Sequence, residues 1–122
     1  MAAIALNKFR TIRTRVTTNN VGIYTCPIGV ASIIINWQIT NVSTGNSVGI
    51  SSITALHARD PDPVTGVVSF KLSNGVIIPP NDGYNIVGDG RLALETGDVL
   101  FISASENWKL ESVLSVLETA KQ

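Results

Sequence analysis

Twelve consecutive residues, Val30-Ala-Ser-Ile-Ile-Ile-Asn-Trp-Gln-Ile-Thr-Asn41, constrain the fold of this chain more than any other stretch. Ala31, Ile33, Ile35, Trp37 and Ile39 share one parity, and Ser32, Ile34, Asn36, Gln38 and Thr40 share the other. Side chains on a strand alternate between its faces, so the spacing predicts an apolar row turned inward and a mixed, mostly polar row turned outward. β-Branched residues dominate, and neither Gly nor Pro interrupts the run. A helix, turning 100° per residue, would scatter the isoleucines round its whole circumference. The stretch therefore reads as the long central strand of a sandwich, with its sequence neighbours expected to pair against it.

The segments on either side are short and punctuated by turns. Residues 1–18 read as an extended basic arm that runs into a first strand, a candidate edge strand because Arg and Lys discourage unwanted pairing there. Residues 19–122 read as a single sandwich domain. Val21–Cys26 is a short strand, and Pro27-Ile-Gly29 makes a tight connection in which Gly29 is free to take a positive φ. Thr44-Gly-Asn-Ser47 is a turn, after which Val48–His57 is expected to return antiparallel to the central strand. Alternation slips between Ile50 and Ile53, which predicts a bulge beside Gly49. Arg59-Asp-Pro-Asp-Pro-Val-Thr-Gly66 reads as a stiff, defined loop.

Further on, Val67–Leu72 and Val76–Ile78 are expected to flank a hairpin at Ser73-Asn-Gly75, with Pro79-Pro80 stopping the second strand. Turns at Asn81-Asp-Gly83, Gly88-Asp-Gly90 and Glu95-Thr-Gly-Asp98 separate strands at Tyr84–Val87, Arg91–Leu94 and Val99–Ser105. Trp108–Glu118 carries both a helical spacing (Leu110, Val113, Leu114, Leu117) and strand alternation. The recurrence of strands every 8–12 residues elsewhere favours a ninth strand. The fold class expected is all-β: an antiparallel sandwich, jelly-roll-like, of eight to nine strands with an N-terminal arm.

Composition matters chiefly through charge. Charged residues are only 15% of the chain against a usual quarter, which favours some surface covered by another protein. Net charge is zero, yet Lys8, Arg10, Arg13 and Arg15 fall in the first fifteen residues and every acid lies at or after Asp60. A basic N-terminal half facing an acidic C-terminal half fits pairing with a neighbouring copy or a partner, as well as two solvated faces. The start Met1-Ala-Ala-Ile-Ala-Leu6 lacks a signal peptide's basic start and apolar core, and no run approaches a membrane span. Synthesis in a cytoplasm, with no membrane partner, is the expectation.

Residues able to carry chemistry are few. The single cysteine, Cys26, precedes a proline and reads as a small buried side chain, since it cannot form an internal disulfide. His57, the single histidine, sits in no nucleophile-elbow pattern and reads as a surface residue at a strand end. Asp60 and Asp62 give a D-x-D alternation without the glycine and glutamate of a calcium loop. Gly88-Asp-Gly90 and Asn74-Gly75 precede no helix and read as turns, not phosphate cradles. The basic arm lacks interleaved aromatics, so no nucleic-acid partner is expected. Trp37 belongs to the core by parity, whereas Trp108 fits either core or an interface anchor. No catalytic residue, cofactor or metal is expected, and the chain reads as a non-enzyme.

Tyr24-Thr-Cys-Pro-Ile-Gly29, the Ile33–Thr40 strand closed by Asn41-Val42, Val76-Ile-Ile-Pro-Pro-Asn-Asp-Gly83, Arg91-Leu-Ala-Leu-Glu-Thr-Gly-Asp-Val-Leu100 and the closing Leu110–Glu118 strand form a series of turns and strands. This series resembles small β-sandwich structural proteins of tailed bacteriophages over about residues 21–118. The resemblance implies a virion protein made in the host cytoplasm, foremost a capsid decoration (cement) protein that binds the major capsid protein. A neck, collar or tail component is the structural alternative. A carbohydrate-binding module of a tail or spike is the alternative from another class, disfavoured by an aromatic content of 6%. A homo-oligomer is expected, a trimer foremost because it fits local threefold points of a shell. The candidate partner contacts are Lys8, Arg10, Arg13 and Arg15 on the arm, with Arg59, Asp60 and Asp62 at a loop tip.

Overall fold

A computed structural model describes residues 7–43, 51–62 and 66–120, with backbone alone at 59–62 and 66–69. Among the described residues there are nine strands: β1 (Asn7–Arg15), β2 (Val21–Thr25), β3 (Val30–Asn41), β4 (Ser51–Asp62), β5 (Gly66–Ile78), β6 (Gly83–Asn85), β7 (Leu92–Leu94), β8 (Asp98–Ala104) and β9 (Leu110–Ala120). They form two sheets. The first has the order β1-β9-β3-β6, with β7 also paired to β3, and the second has the order β2-β8-β4-β5. Every pairing is antiparallel. The chain is thus the jelly-roll-like β-sandwich expected, and its last segment is a strand, as its alternation indicated.

β3 is central, but its parity changes partway along. Ser32, Ile34, Trp37, Ile39 and Asn41 are buried, whereas Ile33 is 37% exposed. The register against β9 shifts between Ile34 and Asn36, so Ile35 is an extra residue in a bulge. A single inserted residue exchanges the two faces, which corrects the expectation of one apolar row through Ile33, Ile35 and Ile39. β9, by contrast, alternates strictly, burying Leu110, Ser112, Leu114, Val116 and Glu118. The bulge lets a strand with an irregular apolar pattern follow one with a regular pattern.

Over residues 51–57, the described part of the 48–57 segment, the expected pairing with β3 is not formed. Both edges of β3 are taken, by β9 on one side and by β6 and β7 on the other. β4 instead crosses to the second sheet between β5 and β8. The turn at 44–47 and the bulge beside Gly49 lie outside the described residues. The hairpin expected at Ser73-Asn-Gly75 is a bulge within a continuous β5: Val76 lies opposite Ile53 and Asn74 opposite Thr54, leaving Gly75 over at φ 67°. Its N–H donates to Thr54 Oγ1 (3.1 Å). The same Asn-Gly pair serves a turn or a bulge because both need a residue at positive φ. The loop expected over 59–66 is also shorter, since β4 runs to Asp62 and β5 begins at Gly66. A register shift between Arg59 and Asp62 accommodates Pro61 at a point where no ladder hydrogen bond is required of it. The strand expected at Tyr84–Val87 pairs only as Gly83–Asn85.

Between the sheets, Ile34, Trp37, Ile39, Leu110, Leu114 and Val116 meet Tyr24, Ile53, Ile78, Leu100 and Ile102, all buried. Trp37 is fully buried and its Nε1–H donates to Ser112 Oγ (2.8 Å). Cys26 is buried as expected, with Sγ 3.2 Å from Ser32 Oγ. Among the described residues no buried side-chain nitrogen or oxygen lacks a hydrogen-bond partner, so the polar groups in this core carry little desolvation cost.

Candidate partner interface

The N-terminal stretch read as an arm is, over Asn7–Arg15, the edge strand of the first sheet. It is paired along its full length with β9, from Asn7 opposite Thr119 to Arg15 opposite Glu111. Alternation divides its charges. Lys8, Arg10, Ile12 and Thr14 share the parity of β9's buried residues, and Phe9, Thr11, Arg13 and Arg15 share the outward one.

Arg10 is held within the chain. Its Nη1 lies 3.2 Å from Glu118 Oε2, and its guanidinium carbon stands 6.0 Å from the centre of the Tyr24 ring. Glu118 is almost fully buried, an acid on the inward parity of β9. It survives there because the Tyr24 hydroxyl donates to the same oxygen (2.5 Å) and Arg10 supplies a counter-charge. Tyr24 Oη also lies 2.7 Å from Ser32 Oγ. Burial, reinforced by the neighbouring Glu118 carboxylate, pushes the Tyr24 phenol well above its ordinary range. Arg15 pairs more loosely with Glu111 (3.6 Å), both side chains being open to solvent. Lys8 and Arg13 have no carboxylate partner among the described residues. A shallow cavity of about 330 Å³ is lined by Arg13, Thr14, Arg15, Glu111, Ser112 and Val113.

On the outward face of the same sheet, Phe9, Leu117, Ile33 and Ala93 lie directly opposite one another across four strands. Phe9 is 72% exposed. This stripe was not legible beforehand, because the β3 bulge is what turns Ile33 outward. Trp108 is also exposed, at φ 66°, which settles its place outside the core.

Arg59, Asp60 and Asp62 are brought to the far end of β4, on the second sheet. Arg59 stands opposite both Val68 and Asp98, and the ladder to β8 ends there, so Asp60–Asp62 continues in the β4–β5 hairpin alone. The sequence-derived contacts thus form two separate groups, an edge strand on one sheet and a hairpin end on the other. Close to the second lies a pair that sequence reading did not anticipate: His57 Nε2 is 3.0 Å from Asp98 Oδ2, with Asp98 fully buried and also accepting from the Glu95 N–H (2.9 Å). The residues are 41 apart in sequence, and only the β4–β8 register joins them. Among the described residues no group of three His, Cys, Asp or Glu side chains is placed to hold a metal ion, and no helix is long and apolar enough to cross a membrane.

No family model matches the chain. It is 32% identical over 104 residues to the exosome complex component Rrp42 of Pyrococcus horikoshii, an alignment that takes in 76% of this chain and 37% of that protein. The chain therefore spans about a third of that relative's length. Among solved structures it is similar to a chain from a structure of Bacillus endospore appendages, described as disulfide-linked pili, with a TM-score of 0.53 and 9% identity over 96% of this chain and 88% of that one. It is also similar to a chain of the infectious bursal disease virus particle, with a TM-score of 0.55 and 10% identity over 94% of this chain and 31% of the viral one. VP2 of the same virus in T=1 particles gives a TM-score of 0.51 and 11% identity over 94% and 32% of the two chains. At such identities the likeness is one of fold: the β-sandwich of this chain is that of pilus and viral-particle proteins.

Proposed function

We propose that this protein is a non-enzymatic structural component of a bacteriophage virion, a decoration protein that binds the assembled capsid and ties neighbouring subunits together. The observation that carries the reading is the exposed edge strand β1, where Lys8 and Arg13 have no counter-ion of their own among the described residues. An edge strand offers unpaired N–H and C=O groups to a second chain, and unpaired charges set its register and its choice of partner. The fold shared with viral-particle and pilus proteins supports a scaffold role, and the sequence resemblance supports the virion. Lys8, Arg10, Arg13 and Arg15 contribute the first contact surface in this reading. Arg59, Asp60 and Asp62 at the hairpin end contribute a second, against the major capsid protein.

Purified protein is mixed with separately prepared shells that lack it, and the mixture is sedimented. The wild type is expected to co-sediment to a saturating, stoichiometric copy number. Failure of the wild type to bind shells refutes the decoration role and leaves the neck or tail reading in its place. Point substitutions suit this test better than removal of residues 1–18, since truncation would strip a whole strand from the sheet together with the counter-charge of Glu118.

A further inference from the structure

We propose that residues 1–6, Met-Ala-Ala-Ile-Ala-Leu, fold back over the outer face of the first sheet and cover the apolar stripe of Phe9, Leu117, Ile33 and Ala93 in the same chain. Such a strap keeps the stripe from taking up a second copy while the protein is free. The inference concerns the outer face of the sheet, not the β1 edge, and does not rest on the decoration reading.

Three observations meet here. The first is the stripe itself. Phe9 stands opposite Leu117, Leu117 opposite Ile33 and Ile33 opposite Ala93, one residue from each of four neighbouring strands. Phe9 is 72% exposed, and Ile33 and Ala93 are exposed as well. Its borders are polar. Asn7 and Thr119 lie on one side, joined by a hydrogen bond from the Thr119 hydroxyl (3.1 Å), and Thr11, Ser115 and Asn36 lie on the other. An exposed apolar patch rimmed by polar residues marks a surface that something else covers.

The second is composition. Residues 1–6 are the longest unbroken run of apolar residues in the sequence, with no charged or polar side chain among them. Such a segment gains by leaving water, and the chemistry of its seat must match: an apolar surface, not the charged row of β1.

The third is reach. Residues 1–6 join β1 at Asn7, two residues before Phe9, so they meet the sheet at the end of the strand nearest the stripe. From β1 to β7 the stripe crosses three inter-strand gaps, about 14 Å in all, and Phe9 lies about 7 Å along the strand from Asn7. Six extended residues reach about 20 Å, enough to carry Ala2 to the β7 end. Arg13 and Arg15, opposite Val113 and Glu111, stand further along β1 and out of this path. The tether also decides between copies. It holds the segment beside its own stripe at an effective concentration of about millimolar, which a neighbouring copy must exceed to displace it.

The test uses engineered cysteine pairs, which suit this chain because its single native thiol, Cys26, is buried. A2C/A93C puts one thiol on the segment and one on the far strand of the stripe. A2C/N20C is the control, since Asn20 is exposed beyond the other end of β1. Both are kept dilute, with no shells present, and oxidised with glutathione disulfide. A2C/A93C is expected to close an intramolecular disulfide, at monomer mass, about tenfold or more faster than the control. Closure no faster than the control overturns the proposal. Disulfide-linked dimers formed in preference to the closed monomer also overturn it, because the occupant is then a second copy. A chain starting at Asn7 keeps β1 whole and is expected to bind anilinonaphthalene sulfonate several-fold more than the full chain and to sediment as larger species. If that chain melts like the full one yet shows the same dye binding and the same mass, the stripe was never covered and the proposal fails. Shell binding enters neither measurement, so the decoration reading stands or falls separately.

Discussion

Replacing Tyr24 by Phe removes one hydroxyl and leaves the ring in its place against the core. That hydroxyl is bonded to Glu118 (2.5 Å) and to Ser32 (2.7 Å), and all three residues are buried. Ser32 Oγ keeps a second neighbour in Cys26 Sγ at 3.2 Å, so its loss is small. Glu118 keeps Arg10, but its carboxylate is left one donor short at a site solvent scarcely reaches. A hydrogen bond to a charged group contributes about 1.5–3 kcal/mol, and leaving a buried acceptor unsatisfied costs a similar amount, so a destabilisation of about 2 kcal/mol is expected. Unfolding entropy of about 2.1 cal/mol/K per residue, over 122 residues, converts this to a fall in Tm of about 8 °C. Thermal unfolding followed by calorimetry measures it. Arg10→Met, which removes a partner that is nearly half exposed, should cost only about 0.5–1 kcal/mol. The double variant should lose less than the sum of the two, since both residues serve the same carboxylate. A Tyr24→Phe protein that melts within about 2 °C of wild type, a shift worth only about 0.5 kcal/mol, would refute the reasoning, for Glu118 would then be satisfied without the phenol.

The same phenol carries a pH signature. Its proton is held more tightly in the folded chain than in the unfolded one, so its contribution is full below the unfolded value of about 10 and is lost as pH rises through that of the fold. Stability should therefore fall in alkali above about pH 10, and Tyr24→Phe should flatten that fall in a urea titration repeated across pH. Gly75→Ala, at φ 67° with open space around the missing Cβ, should destabilise by about 1–2 kcal/mol through backbone strain alone, and Gly75→Asn by less. His57→Ala should lower stability by about 1–3 kcal/mol by taking a hydrogen bond from buried Asp98, while leaving shell binding unchanged; loss of binding without loss of stability would contradict the structural role.

The fold class was legible because alternation is a local property, and β9 shows it without interruption from Leu110 to Glu118. The pairing was less legible, because it depends on competition between distant segments. A chain read in order suggests that 48–57 folds back on β3, yet residues 83–94 and 110–120 occupy both of its edges. Bulges were the other obstacle. Nothing in Ile33-Ile34-Ile35 marks which isoleucine is the extra one, since all three suit a strand and only the strict alternation of the partner decides. At the candidate interface the basic residues could be read directly from their clustering. Their division into Arg10 and Arg15, which are paired, and Lys8 and Arg13, which have no carboxylate partner among the described residues, required knowledge of which acids β9 sets opposite them. A signal did exist for Glu118, an acid in step with Leu114 and Val116, and such a residue in a core-facing row calls for a buried partner.

The measurement that bears most directly on the role given to β1 is amide hydrogen exchange over Asn7–Arg15, in the isolated protein at low concentration and in the assembled particle. Alternate residues of a free edge strand turn their N–H groups away from the sheet and exchange through small local openings. Assembly should slow exchange at those amides in particular, with Lys8→Glu/Arg13→Glu abolishing the change. Particles whose β1 amides exchange as fast as those of the free protein, with protection gained only on other surfaces, would contradict the account.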